Sequence, residues 1–197
     1  MHESYRTFIA IEFPHEIRAR VAAHIVRLRQ AWPAAIASWN REDNLHLTLK
    51  FLGNVPLEKI EELSHAVAAA ASRFQPFALS VAGCGKFPTR GKPNVLWIGL
   101  DDPSRTLSQL HHDLEDNCAN VGFAREARAF HPHLTIARLR KPNGARELGE
   151  FHIAQAFAAG SFTVSEVVGF RSELLAKGAR HTALFRHELR PAEPRRS

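Results

Sequence analysis

Two four-residue stretches constrain this chain more than any other feature: His46-Leu47-Thr48-Leu49 and His133-Leu134-Thr135-Ile136. Each is a His-x-Thr with apolar residues at the alternate positions. Side chains of an extended strand point to opposite faces with a period of two. His46 and Thr48 therefore share one face and Leu47 and Leu49 the other, and the second stretch repeats the pattern. Either one alone would pass for an ordinary half-buried strand carrying a surface histidine. With 12 histidines and seven threonines in the chain, chance supplies about 0.4 His-x-Thr matches, so two in strand-like runs call for a reason.

Two such strands facing each other would set two imidazoles and two hydroxyls around one small volume. Imidazoles serve as general base and general acid near neutral pH. Threonine hydroxyls donate hydrogen bonds and can hold phosphoryl oxygens. The set suits in-line opening of a phosphodiester by water. One imidazole takes a proton from water while the other gives one to the leaving oxygen. The scheme calls for no metal and no cofactor.

Bulk properties fit that reading without proving it. The 197 residues suit one domain, or two small lobes sharing an interface. No apolar run is long enough to span a bilayer, and Met1 to Thr7 lacks the apolar core of a signal peptide. Cys84 and Cys118 stand far apart outside any Cys-x-x-Cys and read as small core residues. A soluble, cytoplasmic, monomeric protein is expected. The net charge of +6 favours anionic partners. Part of that excess lies in residues 190–197, where Arg190, Arg195 and Arg196 stand among prolines. That segment is expected to be a basic flexible tail.

In order, the pattern predicts a strand over Arg6 to Phe13 and a helix opened by Pro14, with Ile17, Val21, Ile25 and Leu28 on one face. A short strand over Ser38 to Arg41 and the first motif strand, Asn44 to Leu52, follow. Gly53-Asn54 closes that strand, and Pro56 opens a helix with Ile60, Leu63, Val67 and Ala70 inward. Phe77 to Cys84 reads as a strand and the Gly- and Pro-rich stretch after it as a loop carrying Lys86, Arg90 and Lys92, a solvated loop or a rim for a polyanion. Val95 to Leu100 is a strand, with Trp97 expected in the core. Then come a helix with Leu107, Leu110, Leu114 and Val121, the second motif strand over Phe130 to Ala137, and a turn at Lys141 to Gly144. A helix over Ala145 to Ala158, a strand over Ser161 to Phe170, a turn at Lys177-Gly178 and a strand over His181 to Leu189 complete the chain. Each half offers helix, motif strand, helix, strand and strand. The order reads as an internal duplication within one bilobal unit over residues 1–189, with the motif histidines meeting between the lobes.

These residues resemble the 2H phosphoesterase superfamily, whose mark is a pair of His-x-Thr-x motifs. Further stretches resemble its RNA 2′,3′-cyclic phosphodiesterase branch, also called 2′-5′ RNA ligases: Arg6-Thr7-Phe8-Ile9-Ala10-Ile11, Asn44-Leu45-His46 through Lys50-Phe51-Leu52-Gly53, Val95-Leu96-Trp97-Ile98-Gly99, Phe130-His131-Pro132-His133 through Arg138, and Phe170-Arg171-Ser172-Glu173-Leu174 with Gly178. The likeness runs to about Leu189. It implies an α+β fold of two pseudo-symmetric lobes, each an antiparallel sheet with helices on its outer face, and an active-site cleft between them. It implies hydrolysis of ribonucleoside 2′,3′-cyclic phosphates at RNA ends to 2′-phosphomonoesters, without metal. Carried over by position, His46 would protonate the leaving 3′ oxygen, His133 would activate water, and Thr48 and Thr135 would hold the phosphate. Arg138 matches a family arginine, yet strand parity sets it opposite His133, so it reaches the cleft only if the strand bends or ends. His181 stands where the family often has tyrosine.

Three rival readings stay open on sequence. His131-x-His133 puts two imidazoles on one strand face, a spacing that suits a metal-dependent hydrolase, though no third ligand is evident. A non-catalytic RNA-binding module would use the basic loop and leave the paired motifs unexplained. A ligase would run the same chemistry in reverse and make 2′-5′ bonds.

Overall fold

The computed structural model describes residues 3–33, 37–140, 144–176 and 178–190. Among these residues, nine strands form two antiparallel sheets. The first has the order β3-β1-β8-β9, from β1 (Ser4–Glu12), β3 (His46–Pro56), β8 (Glu166–Leu175) and β9 (Gly178–Glu188). The second has the order β2-β6-β5-β4-β7, from β2 (Ala37–Trp39), β4 (Phe77–Phe87), β5 (Val95–Asp101), β6 (His133–Leu139) and β7 (Ala158–Val164). Helices α2 (Ile60–Ala71) and α3 (Thr106–Asn120) pack together over the first sheet, and α1 (His15–Ala31) and α4 (Ala145–Ile153) lie over the second. Among the described residues no helix is long and apolar enough to cross a membrane.

Helix α1 forms as its spacing predicts: Ile17, Val21, Ile25 and Leu28 are buried, and His24 joins them. In α3 the inward stripe is Leu107, Leu110, Leu114 and Cys118, because Val121 lies past the helix end. Leu47 and Leu49 of β3 and Leu134 and Ile136 of β6 share one continuous apolar cluster with these stripes. Each such side chain contributes about 1.5–3 kcal/mol by leaving water. The backs of both motif strands are thereby fixed inward, and β3 lies against β6 where the two sheets meet.

The sheets do not follow the halves of the chain. The run from Ser161 to Phe170, expected as a single strand, crosses between sheets: β7 ends at Val164, β8 starts at Glu166, and Ser165 is the step. Alternation reports which residues face inward but not which sheet a strand joins. Several boundaries move for local reasons. Strand β3 runs on through Gly53, whose φ of 71° fits a left-handed bulge, to Pro56. A 3-10 turn, Leu57–Lys59, then precedes α2. Helix α4 stops at Ile153 because Ala156, at φ 46°, turns the chain into β7. The expected turn residues Lys141 to Asn143 and Lys177, and residues 191–197 of the tail, lie outside the described residues.

Strand β4 extends to Phe87, so Lys86 is not a loop residue. It is buried and ion-paired with Glu150 of α4. A second buried cation sits in the first motif strand. Lys50 donates to Glu115 Oε2 of α3 at 2.7 Å and to the Ala124 carbonyl at 2.7 Å, and the same carboxylate oxygen accepts the Glu126 amide at 3.1 Å. Lys50 and Glu115 are 4% and 5% exposed. This tie fastens the segment leading to β6 onto β3.

Removing one member of such a pair strands a buried charge, which costs about 3–5 kcal/mol. Lys50→Met is therefore expected to lower stability by that amount in urea unfolding. A loss under about 1 kcal/mol, the range of exposed pairs, would show that water reaches the site.

Candidate active site

His46 and His133 open β3 and β6, and Thr48 and Thr135 follow on the same faces, half-buried. Among the described residues neither threonine hydroxyl has a hydrogen-bond partner. Both strands then carry a β-bulge at the same place. In β3, Ala10 pairs with Thr48 and Ile9 with Lys50, leaving Leu49 as the extra residue. In β6, Trp97 pairs with Thr135 and Leu96 with Ala137, leaving Ile136 extra. A bulge inserts one residue and re-aims everything after it. The parity that set Arg138 opposite His133 is thus reversed. Arg138 pairs with Val95 and lies, exposed, on the face of His133 and Thr135. Phe51, 65% exposed, occupies the corresponding place beyond Thr48.

The two imidazoles have different surroundings. His46 stacks on Phe8, with centroids 4.7 Å apart, above a small apolar patch of Phe8, Ala10, Val168 and Phe170. His181 stands edge-on to it at 5.3 Å. Burial, followed by the nearness of His181, pushes the His46 pKa down to about 4, and its hydrogen bond to the Asn44 backbone opposes the shift only partly. An apolar floor disfavours the charged imidazolium. His133 is ringed by Phe87 at 5.2 Å and Trp97 at 6.3 Å. Its Nδ1 lies 2.7 Å from the His131 carbonyl, so Nδ1 carries the proton and donates. Nε2 is left with a lone pair turned away from the backbone.

The sequence did not single out the aromatic walls. Trp97, expected in the core, lies beside His133, while Leu96 and Ile98 are the buried neighbours. Every residue of that strand before its terminal Asp101 is apolar or glycine, so alternation cannot tell its faces apart. A signal was present in β4: Gly85 pairs with Trp97, and a Cβ there would sit 2.0 Å from the indole. Glycine inside a strand often marks such a close approach. His181 also joins the site, and its buried Nδ1 has no hydrogen-bond partner among the described residues. Among the described residues no third ligand joins His131 and His133, and His131 is exposed. Two surface hollows, one walled by Phe13, Arg18 and Phe162 and one by Val26, Trp32 and Trp39, include neither motif.

Comparison with known proteins points to one family. The profile of the 2′-5′ RNA ligase superfamily matches residues 13–173. An RNA 2′,3′-cyclic phosphodiesterase of Methanothermobacter thermautotrophicus is 33% identical over 180 residues, covering 90% of this chain and 95% of that protein. One of the same name from Escherichia coli is 36% identical over 142 residues, covering 70% of this chain and 74% of that one. A Geobacillus stearothermophilus relative of that name is 33% identical, and the match spans 52% of its length. Among solved structures, Escherichia coli LigT complexed with 3′-AMP superposes with a TM-score of 0.70 at 30% identity over 95% of this chain and 99% of that one. TT0787 of Thermus thermophilus superposes with a TM-score of 0.78 at 25% identity over 94% and 98%.

The aromatic floor makes a direct prediction. In an NMR titration, His46 should protonate near pH 4, and Phe170→Ala, by admitting water, should move its midpoint toward the ordinary 6.5. A wild-type midpoint already near 6.5 would show that the floor leaves the imidazole hydrated.

Proposed function

The chain belongs to the 2′-5′ RNA ligase superfamily, and on that premise we propose that it hydrolyses 2′,3′-cyclic phosphates at RNA ends to 2′-phosphomonoesters. The observation that carries this reading is the pair of equivalent His-x-Thr strands, each burying its apolar side and bulging at the same position. That equivalence also supports internal duplication within a single unit.

His133 is the base. Its Nδ1–H is held by the His131 carbonyl, so Nε2 accepts a proton from the attacking water. The water oxygen bonds to phosphorus as the P–O3′ bond breaks. His46 delivers a proton to the departing 3′ oxygen. Thr48 and Thr135 donate to the phosphoryl oxygens, and Arg138 adds positive charge on the same face, where charge builds up. Neither proton transfer calls for a metal ion. With His46 pushed down to about 4 by burial and His181, the substrate must supply the proton affinity. A phosphodiester anion beside an imidazole raises its pKa and offsets the desolvation. Binding the anion thus charges the acid.

The same depressed pKa favours a second reading in which His46 is the base and His133 the acid. The two assignments separate in the pH dependence of kcat, which reports the substrate complex. If His46 is the acid, the residual activity of His46→Ala should lose the limb on which rate falls with rising pH. Loss of the opposite limb would exchange the roles.

We further propose that the protein acts as a cytoplasmic monomer on RNA ends or nucleotides bearing the cyclic phosphate. Arg90 and Lys92, exposed on the loop after Phe87, form a cationic rim that a longer RNA reaches. Lys86 is excluded from that rim by its bond to Glu150.

The test is incubation with a 2′,3′-cyclic-phosphate oligonucleotide, with the product read by phosphorus NMR. A 2′-phosphomonoester is expected, and a 3′-phosphate would overturn the assignment of the leaving oxygen. His46→Ala and His133→Ala should each cost about 10²–10⁴-fold in kcat with unchanged circular dichroism. Thr48→Val and Thr135→Val should each cost on the order of 10²-fold in kcat/KM. A large fall in melting temperature with kcat/KM intact would make those threonines structural.

Salt tests the rim. Raising ionic strength should raise KM for an RNA oligomer more than for a mononucleotide, and Arg90→Ala with Lys92→Ala should shrink that difference. Equal salt dependence for both substrates would leave the loop without a role in binding.

A further inference from the structure

Behind the second sheet lies a cluster that the phosphodiester chemistry does not use. His24 of α1, Cys84 of β4 and His152 of α4 converge between the helices and the sheet, and their ligand atoms all lie within 4.8 Å of one another. His24 and His152 are 2% and 0% exposed, while Cys84 is half-buried. His24 Nε2 and His152 Nδ1 are 3.1 Å apart. His24 is held flat against Phe157, with centroids 4.4 Å apart. His152 Nε2 lies 2.9 Å from the Trp97 carbonyl, and only an Nε2–H can make that bond. In the neutral ring Nδ1 is therefore bare, and it points at His24.

We propose that His24, Cys84 and His152 form a structural zinc site, with water as the fourth ligand entering from the half-buried side of Cys84. Zinc binds imidazole nitrogen at about 2.0–2.1 Å and thiolate at about 2.3 Å in a tetrahedron, which separates two nitrogens by about 3.3 Å. The observed 3.1 Å is close to that edge. Closing the thiol onto the same point takes a side-chain movement on the order of 1 Å. The bond from His152 to the Trp97 carbonyl is the outer contact that characteristically orients a ligating histidine. Burial keeps both imidazoles neutral and so ready to coordinate. It also holds the Cys84 thiol protonated, so zinc binding releases one proton from Cys84.

The ion would join α1, α4 and β4 at one point. It would also brace β5, whose Trp97 gives its carbonyl to His152 on one side and its ring to the wall beside His133 on the other. It lies outside the cleft and takes no part in the proton transfers assigned to His46 and His133, so the inference stands apart from the proposed reaction. It also differs from the His131-x-His133 pair, which has no third ligand among the described residues.

The test uses the full chain, reduced, stripped by chelator dialysis and checked for its native circular dichroism. Cobalt(II) is then added. The expected result is a thiolate-to-cobalt charge-transfer band in the near ultraviolet, with tetrahedral d–d bands, saturating at one equivalent. Zinc should erase both bands and raise the melting temperature, with one proton released per ion in weakly buffered solution. Cys84→Ser should abolish the charge-transfer band, Cys118→Ser should keep it, and His152→Gln should weaken cobalt binding at least about tenfold. No charge-transfer band in the folded wild-type chain would overturn the proposal and leave the cluster a hydrogen-bonded pair of neutral imidazoles beside a thiol. So would a band that persists in Cys84→Ser. Both readings come from wild type or a conservative thiol replacement, so a variant that fails to fold does not decide the matter.

Discussion

Everything about this site depends on where four apolar side chains go. Leu47, Leu49, Leu134 and Ile136 enter the same core, and that burial fixes both motif strands at once. With the backs of the strands held inward, the alternation of an extended chain leaves His46, Thr48, His133 and Thr135 no other side to occupy. A shift of one residue in either strand would bury a histidine and a threonine and expose two large apolar groups. The core thus acts as the positioning device for the polar face, and loops have little part in the placement. The Lys50–Glu115 pair reinforces it from within β3 by fastening the approach to β6.

On that common scaffold the two histidines are made chemically unequal by their neighbours. His46 rests on phenylalanines and faces His181, and both disfavour charging it. His133 meets a backbone carbonyl that fixes which nitrogen carries the proton. One residue is governed by solvation and the other by a single hydrogen bond. Pairing titratable groups in contrasting environments is how one site divides acid from base work between chemically identical side chains.

The sequence made the periodic parts legible. Alternation alone found the faces of both motif strands, and helical spacing found the buried stripe of α1, because those signals are local and strong. It failed where geometry departs from the ideal period. Strand parity alone sets Arg138 opposite His133, and the bend that would bring it round, the bulge at Ile136, leaves no mark in the order of residue types. Trp97 reads as a core residue because the run Val95 to Leu100 is apolar or glycine throughout and has no visible polarity. Lys86 reads as a loop residue, solvated or on a polyanion rim, because Glu150, its partner, lies 64 positions away on another element. The His24–Cys84–His152 cluster escaped for the same reason: its members come from three elements with no motif spacing between them. Distant pairings and register faults belong to tertiary structure, and a single sequence records them only through indirect marks such as Gly85.

The crossing at Ser165 carries a consequence for how the chain acquires its shape during synthesis. The first sheet takes β1 and β3 from the early chain and β8 and β9 from the late chain, and β1 is hydrogen-bonded to β8 across more than 150 intervening positions. A nascent chain that has released β1 and β3 but not β8 exposes one edge of β1 along its length. It must keep that edge from other chains until β8 emerges. Pairings of such long sequence separation are slow to form and leave apolar strands open to aggregation in the interval. This architecture therefore defers closure of the sheet that holds His46 until β8 has been made.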